Sequence, residues 1–312
     1  MMAYIIRRVW QMIPTMLGVV LLVFLLFNWV GGDPAYVLAG KISNQDQIDN
    51  IRRQLGVDQP FYVQLWIFVK QIVTADFGAS WSTNERVSSI LATRLGPSLT
   101  VLVPLLILDT IIAVGLALAV AYVRGSLTDR MVMIVCTVGL SISILVYIIV
   151  FQYVFAYKLG WFPVQGWGDS FAENLFRFSL LPILIGLVVG IAPNLRLYRT
   201  FVLDEINQDY VRTARAKGVG ENRIMWVHVL RNASIPIITH VMAALPGLLI
   251  GAFLIERFFS IPGIGREVIL AVERSDFPVI KALTVYVAIA TMIVNLLADL
   301  TYKVVDPRVQ LK

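Results

Sequence analysis

Cysteine and histidine are almost missing from this chain of 312 residues: Cys136 is the one thiol, and His228 and His240 are the only imidazoles. A single cysteine has no partner within the chain, and three such side chains are too few and too scattered for a Cys/His zinc site. Redox and metal chemistry therefore offer no route to function. No G-x-x-x-x-G-K-[ST] run occurs, and the glycines of "PGIGREV" are wrongly spaced to cradle a phosphate, so the sequence holds no nucleotide-hydrolysis motif. Charge is equally scarce. Asp, Glu, Lys and Arg make up 15% of the residues against 58% apolar, and the mean hydropathy of +0.78 lies outside the range of soluble domains. What is abundant is long apolar sequence, and that makes this a membrane protein.

A bilayer core about 30 Å thick takes about 20 apolar residues per helix. Six stretches qualify: Val9–Val30, Pro97–Val123, Met131–Tyr157, Phe178–Leu203, Ile235–Ile255 and Val279–Tyr302. The first follows Arg7 and Arg8 as a signal peptide would, but its apolar run exceeds the about 7 to 15 residues of an h-region, and it reads as an uncleaved span. With the N-terminus inside, residues 1–8, 124–130, 196–231 and the tail from 303 hold about 14 Lys or Arg against about six Asp or Glu, while the outside segments hold about 12 of each. Both termini are therefore expected to be cytoplasmic. The net charge of +6 is spread as an orientation signal and not gathered into a nucleic-acid surface.

The chain reads as one domain, 1–312, with a first span (9–30), an outside region (31–96), a five-span core (97–302) that contains an inside loop (204–234), and a tail (303–312). The outside region is predicted to carry amphipathic helices over Gln45–Leu55, stopped at Gly56, and Phe61–Val73. Its length suits either a cap over the bundle or a docking surface. On the shorter outside segments Trp161, Phe162 and Trp167 are expected at the membrane interface.

The inside loop holds "DYVRTARAKGVGENRIMWVHVLRN", Asp209 to Asn232. Ala214, Ala216 and the aliphatic stems of Arg and Lys suit a short helix, with Gly218 and Gly220 at its end. A second helical pattern follows with Ile224, Val227 and His228 on one side, and Asn232 and Pro236 mark the turn into the fifth span. Composition alone would also allow a helix lying on anionic lipid. The strip, however, resembles the EAA loop of ABC-importer permeases. Laying that family's glycine on Gly218 puts its Glu position at Arg212, its two Ala positions at Thr213 and Ala214, its Ile at His228, and its Leu-Pro at Leu230 and Arg231. The "DYVRTARAKG" wording is that of the dipeptide/oligopeptide branch. "IIRRVWQMIPTMLGVVLLVFLLF", "GGDPA", "RRQLGVDQPFYVQ", "ADFGAS", "LGWFPVQGW", "FFSIPGIGREV" and "LLADLTYKVVDPRV" are similar, in the same order, to the B-type permease subunit of that branch.

The resemblance implies an all-helical, six-span fold of the type I ABC-importer permease kind in the bacterial inner membrane. It implies a C-type permease subunit, two ABC ATPase subunits that bind ATP and Mg, and a periplasmic peptide-binding protein as partners, with no cofactor on this chain itself. Asp209, Tyr210, Arg212, Thr213, Ala214, Arg215, Ala216, Lys217 and Gly218 would couple to an ATPase, with Arg212, Arg215 and Lys217 orienting it and Ala214 and Gly218 permitting close approach. The Gly- and Pro-rich segment with Glu256, Phe259, Pro262, Gly263 and Gly265 would form an outer gate or docking corner, or a plain turn.

Within the spans, ionisable and polar residues are functional suspects. Asp109 suits either a peptide ammonium or a bond to a neighbouring helix. His240 suits an interhelical hydrogen bond, Asp299 a pair with Lys303, and Ser141, Ser143 and Tyr147 a polar stripe along the third span. The family often has a proline near that stripe; "LSISILVY" has none, and no kink is carried over from the resemblance. Two other classes compete. "GLSI" (139–142) is similar to the Gly-x-Ser of rhomboid intramembrane proteases, with His240 as base, and an ion-driven secondary transporter would show duplicated halves, which are not evident here.

Overall fold

The computed structural model describes residues 2–27, 35–36, 44–56 and 58–305. The "GGDPA" segment lies almost wholly outside them, as does the tail from 306. Twelve helices carry the description: α1 Met2–Leu25, α2 Gln45–Leu55, α3 Phe61–Thr74, α4 Val87–Tyr122, α5 Leu127–Ser141, α6 Ile144–Phe151, α7 Leu180–Ile206, α8 Asp209–Ala216, α9 Leu230–Ile250, α10 Phe253–Phe258, α11 Ile264–Glu273 and α12 Phe277–Val305. The one extended pairing among the described residues is a single bridge, Ala79 to Arg86. Helix is what lipid demands, because it satisfies each backbone N–H and C=O within its own segment.

Five helical stretches are long and apolar enough to cross a bilayer, and α5 with α6 and its π-helical continuation to Lys158 makes a sixth that is bent by 92°. That bend occurs where no kink was carried over from the family resemblance. No proline is needed: Ser143 caps α6 by accepting from the Leu145 N–H at 3.4 Å, and the Tyr147 hydroxyl reaches back over the break to the Gly139 carbonyl at 3.0 Å. One serine and a tyrosine thus supply the capping that lets a helix stop and restart inside an apolar run.

The second span starts earlier than its hydropathy suggests. At 36 residues, α4 is about 54 Å long at 1.5 Å per residue, so it overshoots the hydrocarbon core and projects on the side of α2 and α3. The fifth span differs more. Pro236 lies inside α9, not at its entry, and no turn occurs at Asn232: residues 221–229 run on as helix, with a π-helical segment over Ile224–Val229, into α9. The wider turn moves the inward face to Ile224, Met225 and Val229, all buried, and leaves Val227 50% exposed, contrary to the ordinary helical period used to place it. The span then breaks at Gly251 (φ +85°). The expected α2 has the predicted bounds and ends on Gly56 in the left-handed region. Phe162 and Trp167 pack against the buried cluster of Ile148, Leu181 and Phe259, while Trp161 is exposed.

The most extensive helix pair is α4 with α7, and small residues set its spacing. Gly186 and Gly190, one turn apart on α7, face Leu105 and Asp109, one turn apart on α4; a Cβ on Gly186 would sit 2.5 Å from the Leu105 Cδ2, and one on Gly190 3.0 Å from the Asp109 Oδ1. Further along, Ala113, Ala117 and Ala121 bury against Tyr198 and Val202. Asp129, at the start of α5, accepts from the Arg199 guanidinium of α7 at 2.8 Å and from the Gly125 N–H at 2.9 Å, which fastens the 124–130 loop to the same helix. At the first and last helices Asp299 takes Arg8 at 2.6 Å; the Lys303 side chain expected there is outside the described residues.

Gly186→Val should overpack the α4–α7 contact and cost about 1–3 kcal/mol, seen as a lowered melting temperature in detergent. Gly115→Ala, where the added carbon meets nothing within 4 Å, should leave melting unchanged or raise it slightly.

Candidate functional site

The inside strip folds as the short helix α8 between α7 and α9. Val211 and Ala214 turn inward and join one buried cluster with Ala117 and Leu118 of α4, Tyr198 and Val202 of α7, and Ile224, Met225 and Val229. Ala214 is therefore an anchor to the bundle and not part of the exposed face on which close approach by another chain was expected. That face carries Asp209, Arg212, Thr213, Arg215, Ala216, Lys217 and Gly218. The helix ends on a Schellman arrangement: the Val219 N–H bonds to the Ala214 carbonyl at 3.2 Å and the Gly218 N–H to the Arg215 carbonyl at 2.9 Å, with Gly218 at φ +76°. Arg215 then clasps Glu221 with two bonds, 2.6 and 3.1 Å, so the turn is closed by an ion pair. At the other end the Tyr210 hydroxyl donates to Glu205 at 2.7 Å; burial, then that bond, pushes the phenol up to about 12. Both ends of α8 are fixed by side chains. It is a rigid knob with a basic outer face.

At mid-depth three helices meet through polar side chains. Asp109 of α4 is buried and accepts from the Asn194 amide of α7; the Asn194 carbonyl oxygen lies 3.1 Å from His240 Nε2 of α9. His240 also stands edge-on to the Tyr198 ring, with centroids 5.7 Å apart. Asp109 thus makes the interhelical bond that was one of its two expected roles, and His240 makes the one expected of it. The sequence reading missed Asn194, the residue that joins them. Ser141, Ser143 and Tyr147 do not form a stripe on a straight helix but gather at the α5–α6 break, where Ser141 donates to the Thr137 carbonyl at 3.0 Å. Ser141 and His240 spend their hydrogen bonds on different partners, and nothing in that arrangement resembles a nucleophile and its base.

The third cluster is the corner after α9. Glu256 of α10 is fully buried, and its carboxyl group accepts from the Ser98 hydroxyl (2.8 Å), the Ala252 N–H (3.0 Å) and the Arg266 N–H (3.0 Å). Ser98, on the overshooting part of α4, also accepts from the Ile264 N–H at 2.8 Å. One carboxyl group thereby ties α4, α10 and α11. Its neighbours leave no room: a Cβ on Gly263 would lie 2.3 Å from Glu256 Oε2, and one on Gly265 2.8 Å from the Phe253 nitrogen. Phe259 is buried beside it, and Arg94–Glu267 and Arg257–Glu273 pairs brace the outside. Nearby, buried Asp276 accepts from the Ser82 hydroxyl (2.9 Å), the Trp81 N–H (3.2 Å) and the Ser80 hydroxyl, pinning the 79–86 turn to the start of α12. Burial raises that carboxyl, but these bonds outweigh it and hold the group below its usual range. Among the described residues no three His, Cys, Asp or Glu side chains come together as a metal site.

A set of bilayer-length helices paired through buried polar side chains, with a rigid knob held out at one end, defines a polytopic membrane protein of the transport class. Residues 111–311 match the family described as the binding-protein-dependent transport system inner membrane component, and residues 1–102 match the N-terminal component of such systems. The chain belongs to this family, the permeases of ABC importers, and is a multi-pass protein of the bacterial inner membrane. It is 32% identical, over the full length of both chains, to the glutathione transport system permease proteins GsiC of Salmonella paratyphi A and Salmonella typhimurium, and 33% identical to that of Escherichia coli K12.

Two consequences are measurable. Glu256→Ala leaves one buried and two half-buried donors without their acceptor and should destabilise the protein by about 3 kcal/mol, against a smaller loss for Glu256→Gln, both read by thermal melting. Asp276 titrates lower when folded than the about 3.9 of an unfolded chain, so its contribution is present above about pH 4 and fades as pH falls through its folded value. Asp276→Asn should therefore flatten the acid limb of a stability–pH curve.

Proposed function

We propose that this chain is the B-type half of a heteromeric importer for small peptides and peptide-like solutes, of which the glutathione named for its relatives is one. Both termini and α8 face the cytoplasm. A C-type permease completes the pore, a periplasmic peptide-binding protein delivers substrate near the Glu256–Gly265 corner, and two ABC ATPases bind ATP and Mg and supply the energy. Nothing in the chain's own side chains performs hydrolysis.

What carries this reading is α8: a basic, capped helix, fixed at both ends and buried along one side in the cluster that unites α4, α7 and α9. A short rigid element transmits a rigid-body shift where a slack loop would absorb it. Seated in a groove of an ATPase, its face of Arg212, Thr213, Arg215, Ala216, Lys217 and Gly218 would pass the closing motion to the spans. Asp209 lies on the same exposed face, and Tyr210 belongs to its fixed base through Glu205. The translocation path runs past the α5–α6 break with Ser141, Ser143 and Tyr147, and the Asp109–Asn194–His240 group gives it polar character at mid-depth. Alternating access follows when the spans on either side of these breaks change their packing.

Gly218→Trp in the full transporter, reconstituted in liposomes with its ATPases and binding protein, should lower ATP-dependent uptake at least tenfold. Gly218→Ala, strained at a positive φ but small, should lower it less. Uptake and ATPase assembly that both survive the tryptophan would remove α8 from the coupling role.

A further inference from the structure

Between α1, α3, the 77–81 turn and the first turn of α12 lies a cavity of about 230 Å³ that none of the roles above uses. Its walls include Phe27, Phe68, Trp81 and Phe277, with Gln71 and Lys281 also in its lining. Nζ of Lys281 sits 5.6 Å from the Phe27 ring centroid and 5.9 Å from that of Phe68. No ion pair to Lys281 occurs among the described residues. Asp276, five positions earlier on the chain, is fully engaged by Ser80, Ser82 and Trp81. An ammonium withdrawn from bulk water needs a counter-charge, and two aromatic faces replace only part of its hydration. The first turn of α12 adds the positive end of a helix dipole on the same side.

We propose that this cavity binds the phosphate of an anionic phospholipid from the leaflet on the α3 side. The phosphodiester would sit on Lys281, with its polar headgroup toward Gln71 and its acyl chains running out over the exposed face of α3 and the end of α1. The surroundings select a lipid over a free anion. On α3, Tyr62 and Trp66 are 72% and 69% exposed, the arrangement of aromatic residues expected at a membrane interface, and Leu22 near the end of α1 is 57% exposed. A water takes about 30 Å³ in the liquid, so the space admits a phosphate with its glycerol.

The test is native mass spectrometry of the chain purified with its co-expressed partners and exchanged against phosphatidylglycerol, phosphatidylcholine or inorganic phosphate. Phosphatidylglycerol should be retained at least fivefold over phosphatidylcholine, and millimolar inorganic phosphate should not displace it. Lys281→Gln should abolish that preference and Lys281→Arg should preserve it. Gln71→Glu leaves the lysine in place but adds a like charge beside the phosphate, and should also reduce retention; it decides the matter if Lys281→Gln does not fold. Equal retention of the two lipids, unchanged preference in a folded Lys281→Gln or in Gln71→Glu, or displacement by inorganic phosphate would each overturn the proposal.

Discussion

The structure depends first on how closely α4 and α7 approach. In lipid the apolar surface of a helix gains nothing by leaving its surroundings for another helix, so association rests on packing and on interhelical hydrogen bonds. Gly186 and Gly190 provide a groove one residue deep, into which Leu105 and Asp109 fit. The alanines at 113, 117 and 121 continue the approach toward the α8 end. Without that groove Asn194 would not reach Asp109, and Tyr198 would not close over the base of α8. Spacing here is prior to chemistry.

Buried polar groups then fix what packing alone leaves undetermined. The Glu256 carboxyl is expensive to remove from water, and it is retained because three donors from three elements converge on it. Apolar residues could fill the same volume, but they would not dictate that Ser98 of α4, the start of α10 and the start of α11 meet at one point. The glycines at 251, 263 and 265 are the geometric counterpart, since each removes a side chain from a place where backbone or carboxyl must pass. Asp276 and the serines of the 80–82 turn do the same for the neighbouring corner. Polar pairs of this sort set a unique arrangement among helices that are otherwise interchangeable in lipid.

Much of this was legible in the sequence, for identifiable reasons. Hydropathy locates spans because lipid imposes one length scale, and α2 could be bounded to the residue because Gly56 is its left-handed stop. The groove on α7 also has a signal in the sequence, the G-x-x-x-G of "GLVVG" (186–190). Other features had none. A π-helical turn shifts the buried face of 224–229 by a residue, yet it leaves no mark in a hydrophobic period. The 92° break at Ile142 and Ser143 is made by caps from serine and tyrosine, residues that are just as common in unbroken spans. Asn194, Arg199 and Ser98 are ordinary polar residues until a partner from another helix is placed beside them, and long-range partnership is what a single sequence does not record. The sites were found by resemblance and composition; their partners needed three dimensions.

The length of α4 joins these observations. Near one end its Ala117 and Leu118 share a buried cluster with Val211 and Ala214 of α8, in its middle Asp109 holds Asn194, and toward the other end Ser98 holds Glu256 and Arg94 holds Glu267. A displacement of α8 toward the bundle therefore meets a single stiff element that spans the membrane and is bonded at three depths. Continuity of contact is not itself coupling, which requires parts that have two arrangements. The breaks are the places where the proposed role would need them. At Ile142 and Ser143 and again at Gly251, the chain crosses the membrane as two helical pieces joined by a few torsions, and both breaks border elements that α4 or α7 holds in place. Long unbroken helices carry position between the two faces, and under the proposed importer role the interrupted ones would be where the path between them opens and closes.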